Sequence, residues 1–168
     1  MDKEIINRVA QSKLVTVDLE DYYPKGTRMV IDIKGWLYEG IILREKEFRT
    51  FLDIHDWHQY QDAYVVMTCS TEAIVPGWAY MLLTTKLQPF AKKMVQGTLE
   101  DMETSLYQSI IEKLDLSDFK DRAVIIKGCS NKPVPPNAYL MLTERLQTMA
   151  KSIMYGEACS SVPLFKRK

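Results

Sequence analysis

Two short runs, residues 63–67 (Ala-Tyr-Val-Val-Met) and 123–126 (Ala-Val-Ile-Ile), are apolar, rich in β-branched side chains and free of polar interruption. Such continuity predicts strands buried on both faces of a largely parallel sheet. Ahead of them Val15, Val17 and Leu19, and then Met29, Ile31 and Ile33, alternate with polar partners around a turn holding Pro24, Lys25 and Gly26, which predicts strands wetted on one face. Elsewhere the apolar period lengthens to that of a helix. Phe48, Phe51 and Leu52 make an inward face over residues 44–54, and Leu99, Met102, Leu106, Ile110 and Leu114 make another behind a Thr98/Asp101 capping box. Tyr80, Leu83, Leu87, Ala91 and Met94 form a third stripe, and Tyr139, Leu142, Leu146, Ala150 and Ile153 a fourth. The expectation is an α/β fold, a mixed and mostly parallel sheet of about four strands flanked by helices.

The last two stripes belong to an internal repeat. Sliding residues 75–97 by 59 positions lays them over residues 134–156, with 11 of 23 pairs identical, among them Pro76 with Pro135, Tyr80 with Tyr139 and Gly97 with Gly156. One inserted residue also aligns Cys69-Ser70 with Cys129-Ser130. Each copy reads as strand, polar Cys-Ser loop, proline near a helix start and glycine closing that helix. Pro89, opposite Thr148, predicts a kink or division in the first of these helices. A single domain over residues 1–168 follows, with N-terminal strands in 1–43, a first repeat unit in 44–97, a second in 98–156 and a tail in 157–168.

At 168 residues the chain is long enough to bury a core without disulfides or structural metal. Its 22 basic and 22 acidic residues cancel, so no global field steers it onto nucleic acid or an anionic membrane. The cluster Lys166, Arg167 and Lys168 reads as a solubilising, frayed tail. Residues 1–4 open no secretory signal, and the longest uncharged run, 73–85, contains Pro76 and Gly77 and is too short to span a bilayer. Three cysteines without a signal argue for free thiols in the cytoplasm.

In open α/β sheets ligands bind beyond the carboxyl ends of the strands, which makes Cys69, Ser70, Cys129 and Ser130 the leading site candidates. If their two strands are neighbours, the thiols could share a metal or a proton. Equally, each cysteine could be a small buried hydrophobe in a tight turn. Trp78, Tyr80 and Tyr139 could line a pocket, though the tyrosines fit the core stripes as well. Cys159 is opposed as a third ligand by geometry, because a helix running from the loop to Gly156 would carry it roughly 27 Å away at 1.5 Å per residue. That places it with His55 and His58, a weak His-x-x-His signal, and suggests at most a small site of those three residues. Glycine-rich nucleotide motifs, His-Glu-x-x-His, Gly-x-Ser-x-Gly and Cys-x-x-Cys are absent from the sequence.

At residues 69–80 (Cys-Ser-Thr-Glu-Ala-Ile-Val-Pro-Gly-Trp-Ala-Tyr), 127–130 (Lys-Gly-Cys-Ser) and 154–160 (Met-Tyr-Gly-Glu-Ala-Cys-Ser) the chain resembles the bacterial family known as domain of unknown function 2480. The likeness runs over nearly the whole chain. It implies that Cys159 matters alongside Cys69 and Cys129, and it implies an accessory role in iron–sulfur cluster assembly, with that machinery as protein partner. Two readings therefore stand. One is a thiol protein that holds a transition metal, zinc or iron, or handles sulfur, through Cys69, Cys129 and Cys159. The other is a non-enzymatic, dimeric interaction module with structural cysteines. An enzyme with a cysteine nucleophile ranks behind both, because no histidine base falls beside either loop.

Overall fold

The structure, a computed structural model, describes residues 14–157 and 159–168. Residues 1–4, read above for a secretory signal, lie outside them. The chain forms two compact units, one made of residues up to Tyr23 together with Leu106–Lys168, the other of Pro24–Ser105. The described elements confirm a mixed α/β fold of mostly parallel strands, but they form two sheets where one was expected. The units divide the chain after Tyr23 and after Ser105 rather than at 43, 97 and 156, because the first strand pairs far along the chain instead of with its neighbour.

The unit Pro24–Ser105 holds three parallel strands in the order β2-β3-β4: β2 (Arg28–Asp32), β3 (Tyr64–Thr68) and β4 (Lys93–Gln96). Helix α1 (Glu45–Ile54) joins the first two, and α2 (Gly77–Leu87) joins the last two. Val65, Val66 and Met67 are all but inaccessible, as their unbroken apolar run requires. Phe48 and Leu52, four residues apart and so on one face, are buried in the core with Ile31, Leu83 and Leu87. Phe51 is exposed, at the flank of that face rather than on it. A carboxylate enters this unit from helix α3 (Leu99–Lys113), whose residues to Ser105 belong to it. Glu103 receives Arg28 through two bonds, Nε to Oε1 at 2.7 Å and Nη2 to Oε2 at 3.0 Å, while Arg28 Nη1 donates to the carbonyls of Pro24 and Gly26. Glu103 is buried and Arg28 largely so, so the pair is mostly desolvated and its geometry has to offset that penalty.

The other unit holds β1 (Leu14–Val17), β5 (Ala123–Ile126), β6 (Ser152–Glu157) and β7 (Ser160–Lys166) in the order β1-β5-β6-β7. The first three run parallel, and β7 returns antiparallel on β6 with a register shift between Ile153 and Met154. Helix α4 (Pro136–Gln147) connects β5 to β6. Val17, Leu19, Val124, Ile126, Leu142, Leu146 and Ile153 build its core with Tyr107, whose hydroxyl donates to the Leu19 carbonyl at 2.8 Å. Arg145 donates to the carbonyls of Ile111 and Leu114, satisfying acceptors that the end of α3 leaves open.

Both helices predicted to run as far as Gly97 and Gly156 stop early, at Leu87 and Gln147, and the chain turns back as β4 and β6. In the first, Pro89 lacks the N–H a further turn needs. Ala91, Met94, Ala150 and Ile153 suit a helical stripe by spacing, but Met94 and Ile153 are strand residues, and Ile153 is buried between half-exposed neighbours as period two requires. The glycines have other tasks. Gly97 (φ +140°) donates to Met67 O, and a side chain there would collide with the Asp101 carboxylate. That carboxylate accepts from the Thr98 N–H at 2.7 Å and hydroxyl at 2.8 Å, completing the capping box. The tail is likewise not frayed: Lys166 pairs with Ser152, and Arg167 bridges to Asp121 at 2.7 Å.

Glu103→Ala leaves the largely desolvated Arg28 guanidinium without its carboxylate and should lower the stability of the chain by about 3 kcal/mol. A double Arg28→Met, Glu103→Leu variant should lose distinctly less, both read from urea midpoints.

Candidate functional site

β2 and β3 end side by side, with Asp32 in register with Thr68, so the loop after Thr68 passes over the carboxyl end of β2. Asp32 fixes it there. Its Oδ1 accepts from the Lys34 N–H at 3.0 Å and the Ser70 N–H at 3.1 Å, and the Ser70 hydroxyl adds a further bond. The Ser70 hydroxyl foremost, then these N–H groups, hold the Asp32 carboxyl below its usual range. Thr71 Oγ1 donates to the Gly40 carbonyl at 2.9 Å and lies 3.3 Å from Cys69 Sγ, so its only proton is spent and the thiol is the donor between them. Cys69 is half-buried and free, and it opens with Lys34, Glu39, Gly40, Ser70 and Thr71 onto a cleft of about 710 Å³. Behind the loop, burial pushes the Tyr80 phenol up, with the charges of Cys69 and Asp32 adding to it. Tyr80 is thus a core residue that backs the thiol. Trp78 stands apart from the Cys69 loop, edge-on to Phe48 at 6.0 Å and lining a separate groove with Glu45, Arg49 and Met81.

In the other unit β1 and β5 also end together, Val17 beside Ile126. Lys127 donates from its backbone to Val17 O at 2.9 Å and from Nζ to Asp18 at 2.7 Å. Burial opposes ionisation of Asp18, yet the Lys127 ammonium and the Glu20 N–H outweigh it and hold the carboxyl below its usual range. Glu20 Oε1 accepts from the Ser130 hydroxyl at 3.2 Å, from the Lys132 N–H at 2.7 Å and from the Asn131 N–H. Ser130 is therefore a loop-fixing residue, while Cys129 before it is exposed and free. The backbone of Gly128 lies against Tyr155, whose hydroxyl donates to Gly128 O at 3.3 Å. Tyr139 packs edge-on to Tyr155 at 5.8 Å, and burial first, then neighbouring charges that include Cys129, pushes its phenol up.

Cys159 occupies the turn between β6 and β7, just past the Glu157–Ser160 pair, and is exposed. Because the helix ends at Gln147 and β6 runs parallel to β5, this turn lies at the carboxyl edge of the sheet, the edge that carries Cys129. The geometric objection to Cys159 read from the sequence is overturned. The supposed pairing of Cys69 with Cys129 through neighbouring strands is overturned too, since β3 and β5 belong to different sheets. His55 and His58 precede β3 and sit at the end of it opposite to Cys69. His55 stacks on Tyr60 with its Nε2 2.9 Å from the hydroxyl, between Trp36 and Trp57, and burial lowers its pKa. His58 packs edge-on to Phe90. Their grouping with Cys159 at one edge does not hold, and among the described residues no three His, Cys, Asp or Glu side chains are placed to hold a metal ion.

Sequence reasoning singled out the cysteines as candidates and passed over Asp18, Glu20, Asp32 and Tyr155, which shape their loops. The signal was present for two of them. Asp18 and Asp32 each follow an alternating strand and cap the short 3-10 turn after it, at Leu19–Tyr22 and Ile33–Trp36.

The family model described as "Protein of unknown function (DUF2480)" matches residues 3–167. No curated protein and no solved structure matches the chain.

With a folded-state pKa below the ordinary 3.8, Asp32 contributes stability that is present above that value and is lost as pH falls through its folded pKa. Asp32→Asn should therefore show a smaller drop in urea midpoint than the parent chain between about pH 6 and pH 3.

Proposed function

The chain belongs to the DUF2480 family, and for it we propose an accessory role in which thiolates at the carboxyl edges of its sheets take up a soft cargo, zinc or iron ions or sulfur, and pass it on. The observation that carries this reading is the placement of the cysteines. All three are free, Cys129 and Cys159 are exposed and Cys69 is half-buried against the core of its unit, and each lies in a loop or turn at the carboxyl end of a strand, the edge at which α/β sheets bind their ligands. Thiolate ligands select zinc and iron over magnesium and calcium.

Cys129 and Cys159 share one edge and supply two ligands, where a closed structural zinc site takes four. Two thiolates leave positions open for a donor or an acceptor, as a carrier requires. Supply to iron–sulfur cluster assembly is the pathway this reading favours, and it makes a protein of that machinery the partner. The reading of a dimeric interaction module draws on a different observation: Val162 and Leu164 are exposed on β7, which forms an edge of its sheet.

Anaerobic titration of the metal-free chain with Co²⁺ tests the first reading. A thiolate-to-cobalt charge-transfer band should rise to saturation and should be lost in a still-folded Cys129→Ser, Cys159→Ser variant. A chain that shows no such band, or one indifferent to both substitutions, removes the metal reading.

A further inference from the structure

We infer that Cys129 and Cys159 form a redox-active dithiol that closes an intramolecular disulfide across the carboxyl edge of the β1-β5-β6-β7 sheet. The geometry accumulates along two adjacent strands. β5 and β6 are parallel neighbours with Ile126 beside Tyr155, about 4.8 Å apart as paired strands are. Past this point the two chains stay together. Tyr155 bonds the carbonyl of Gly128, the residue before Cys129, and the contact is close enough that a Cβ on Gly128 would stand 2.9 Å from the ring. One step higher, the Lys127 ammonium is held in its charged form by Asp18 foremost, with the Glu157 carboxylate adding to it. Tyr139 packs its ring edge-on against Tyr155 from the helix between the two strands.

The β6–β7 hairpin is paired as far as Glu157 and Ser160, so the turn that holds Cys159 leaves the sheet at the same carboxyl edge as the loop that carries Cys129. A disulfide needs Cα atoms about 4.4–6.8 Å apart, and the loop with Cys129 and the turn with Cys159 leave the sheet from strands that are neighbours at that spacing. Both thiols are exposed and open to a small oxidant. Cys69 differs from them in its setting, half-buried with its thiol beside the Thr71 hydroxyl.

The oxidant is a low-molecular-weight disulfide. One cysteine thiolate, its proton lost to water, attacks a sulfur of that disulfide; the S–S bond breaks and the first small thiolate leaves with the electron pair and is protonated. The second cysteine thiolate then attacks the protein sulfur of the mixed disulfide and expels the second small thiol. Two protein thiols are oxidised, one disulfide is reduced to two thiols, and the two protons given up by the cysteines balance the two taken up. This step goes beyond the cargo role and needs no metal. Where a metal is carried, the same two sulfurs cannot hold it and each other, so oxidation would release it.

The test uses the full-length chain, reduced and stripped of metal with a chelator, then exposed to glutathione disulfide under native conditions and alkylated. Intact mass and peptide mapping should show a monomer that has lost two hydrogens and carries a Cys129–Cys159 linkage, with Cys69 alkylated. Cys69→Ser should behave identically. Cys129→Ser and Cys159→Ser should each stop at a stable glutathione adduct on the remaining cysteine. Glutathione adducts on both Cys129 and Cys159 of the parent chain without the linkage, a linkage through Cys69, or disulfides only between chains would overturn the inference. Since metal is absent throughout, failure here leaves the cobalt titration to decide the cargo reading by itself.

Discussion

Each helix-spanning passage between parallel strands must bring the chain back to the starting end of the sheet, so that every strand finishes at the same edge. Most of what is functionally suggestive in this protein depends on that constraint. β3 and β5 deliver Cys69 and Cys129 to the carboxyl edges of their sheets directly. β6 delivers Cys159 only because α4 stops at Gln147 and leaves room for the chain to return as a strand beside β5. Had the helix continued to Gly156, the third thiol would have stood at the opposite end.

What holds the loops at those edges is charge, differently arranged in the two units. Asp32 and Asp18 both cap a short turn after their strands. Asp32 then reaches across to Ser70, whereas Asp18 takes the Lys127 ammonium and leaves Glu20 to gather the donors of residues 130–132. These carboxylates are exposed or partly so, and their worth lies in satisfying loop N–H groups rather than in ion-pair energy. The sulfurs are thereby placed on backbone that is anchored on one side and solvated on the other.

The sequence made the strongly periodic parts of this fold legible. The α1 face of Phe48 and Leu52, the capping box of α3 and the unbroken apolar strands β3 and β5 stand where their patterns put them. It failed where one spacing serves two periods. Met94 and Ile153 continue a helical stripe by arithmetic, and only the proline at 89 and the chain's need to pair another strand argue otherwise. It also could not reveal that the sheet is two sheets, because partner choice is a long-range matter: Leu14 pairs with Ala123, while Arg28, the start of the next strand, pairs with Tyr64. The cysteines were legible from motif and spacing, but the carboxylates and Tyr155 were not, since they act through contacts between segments distant in the chain.

The interleaving of the two units also bears on the order in which they can form as the chain leaves the ribosome. Pro24–Ser105 is continuous and has all its strands within reach of one another, so it can condense while the rest is still being made. β1 emerges earlier but has no partner until β5 appears, with Leu14 and Ala123 separated by 109 positions (123 − 14). Closing so long a loop is slow. The first described strand is thus used only after β5 has emerged, and the edge that carries Cys129 and Cys159 is completed later still, when the β6–β7 hairpin follows.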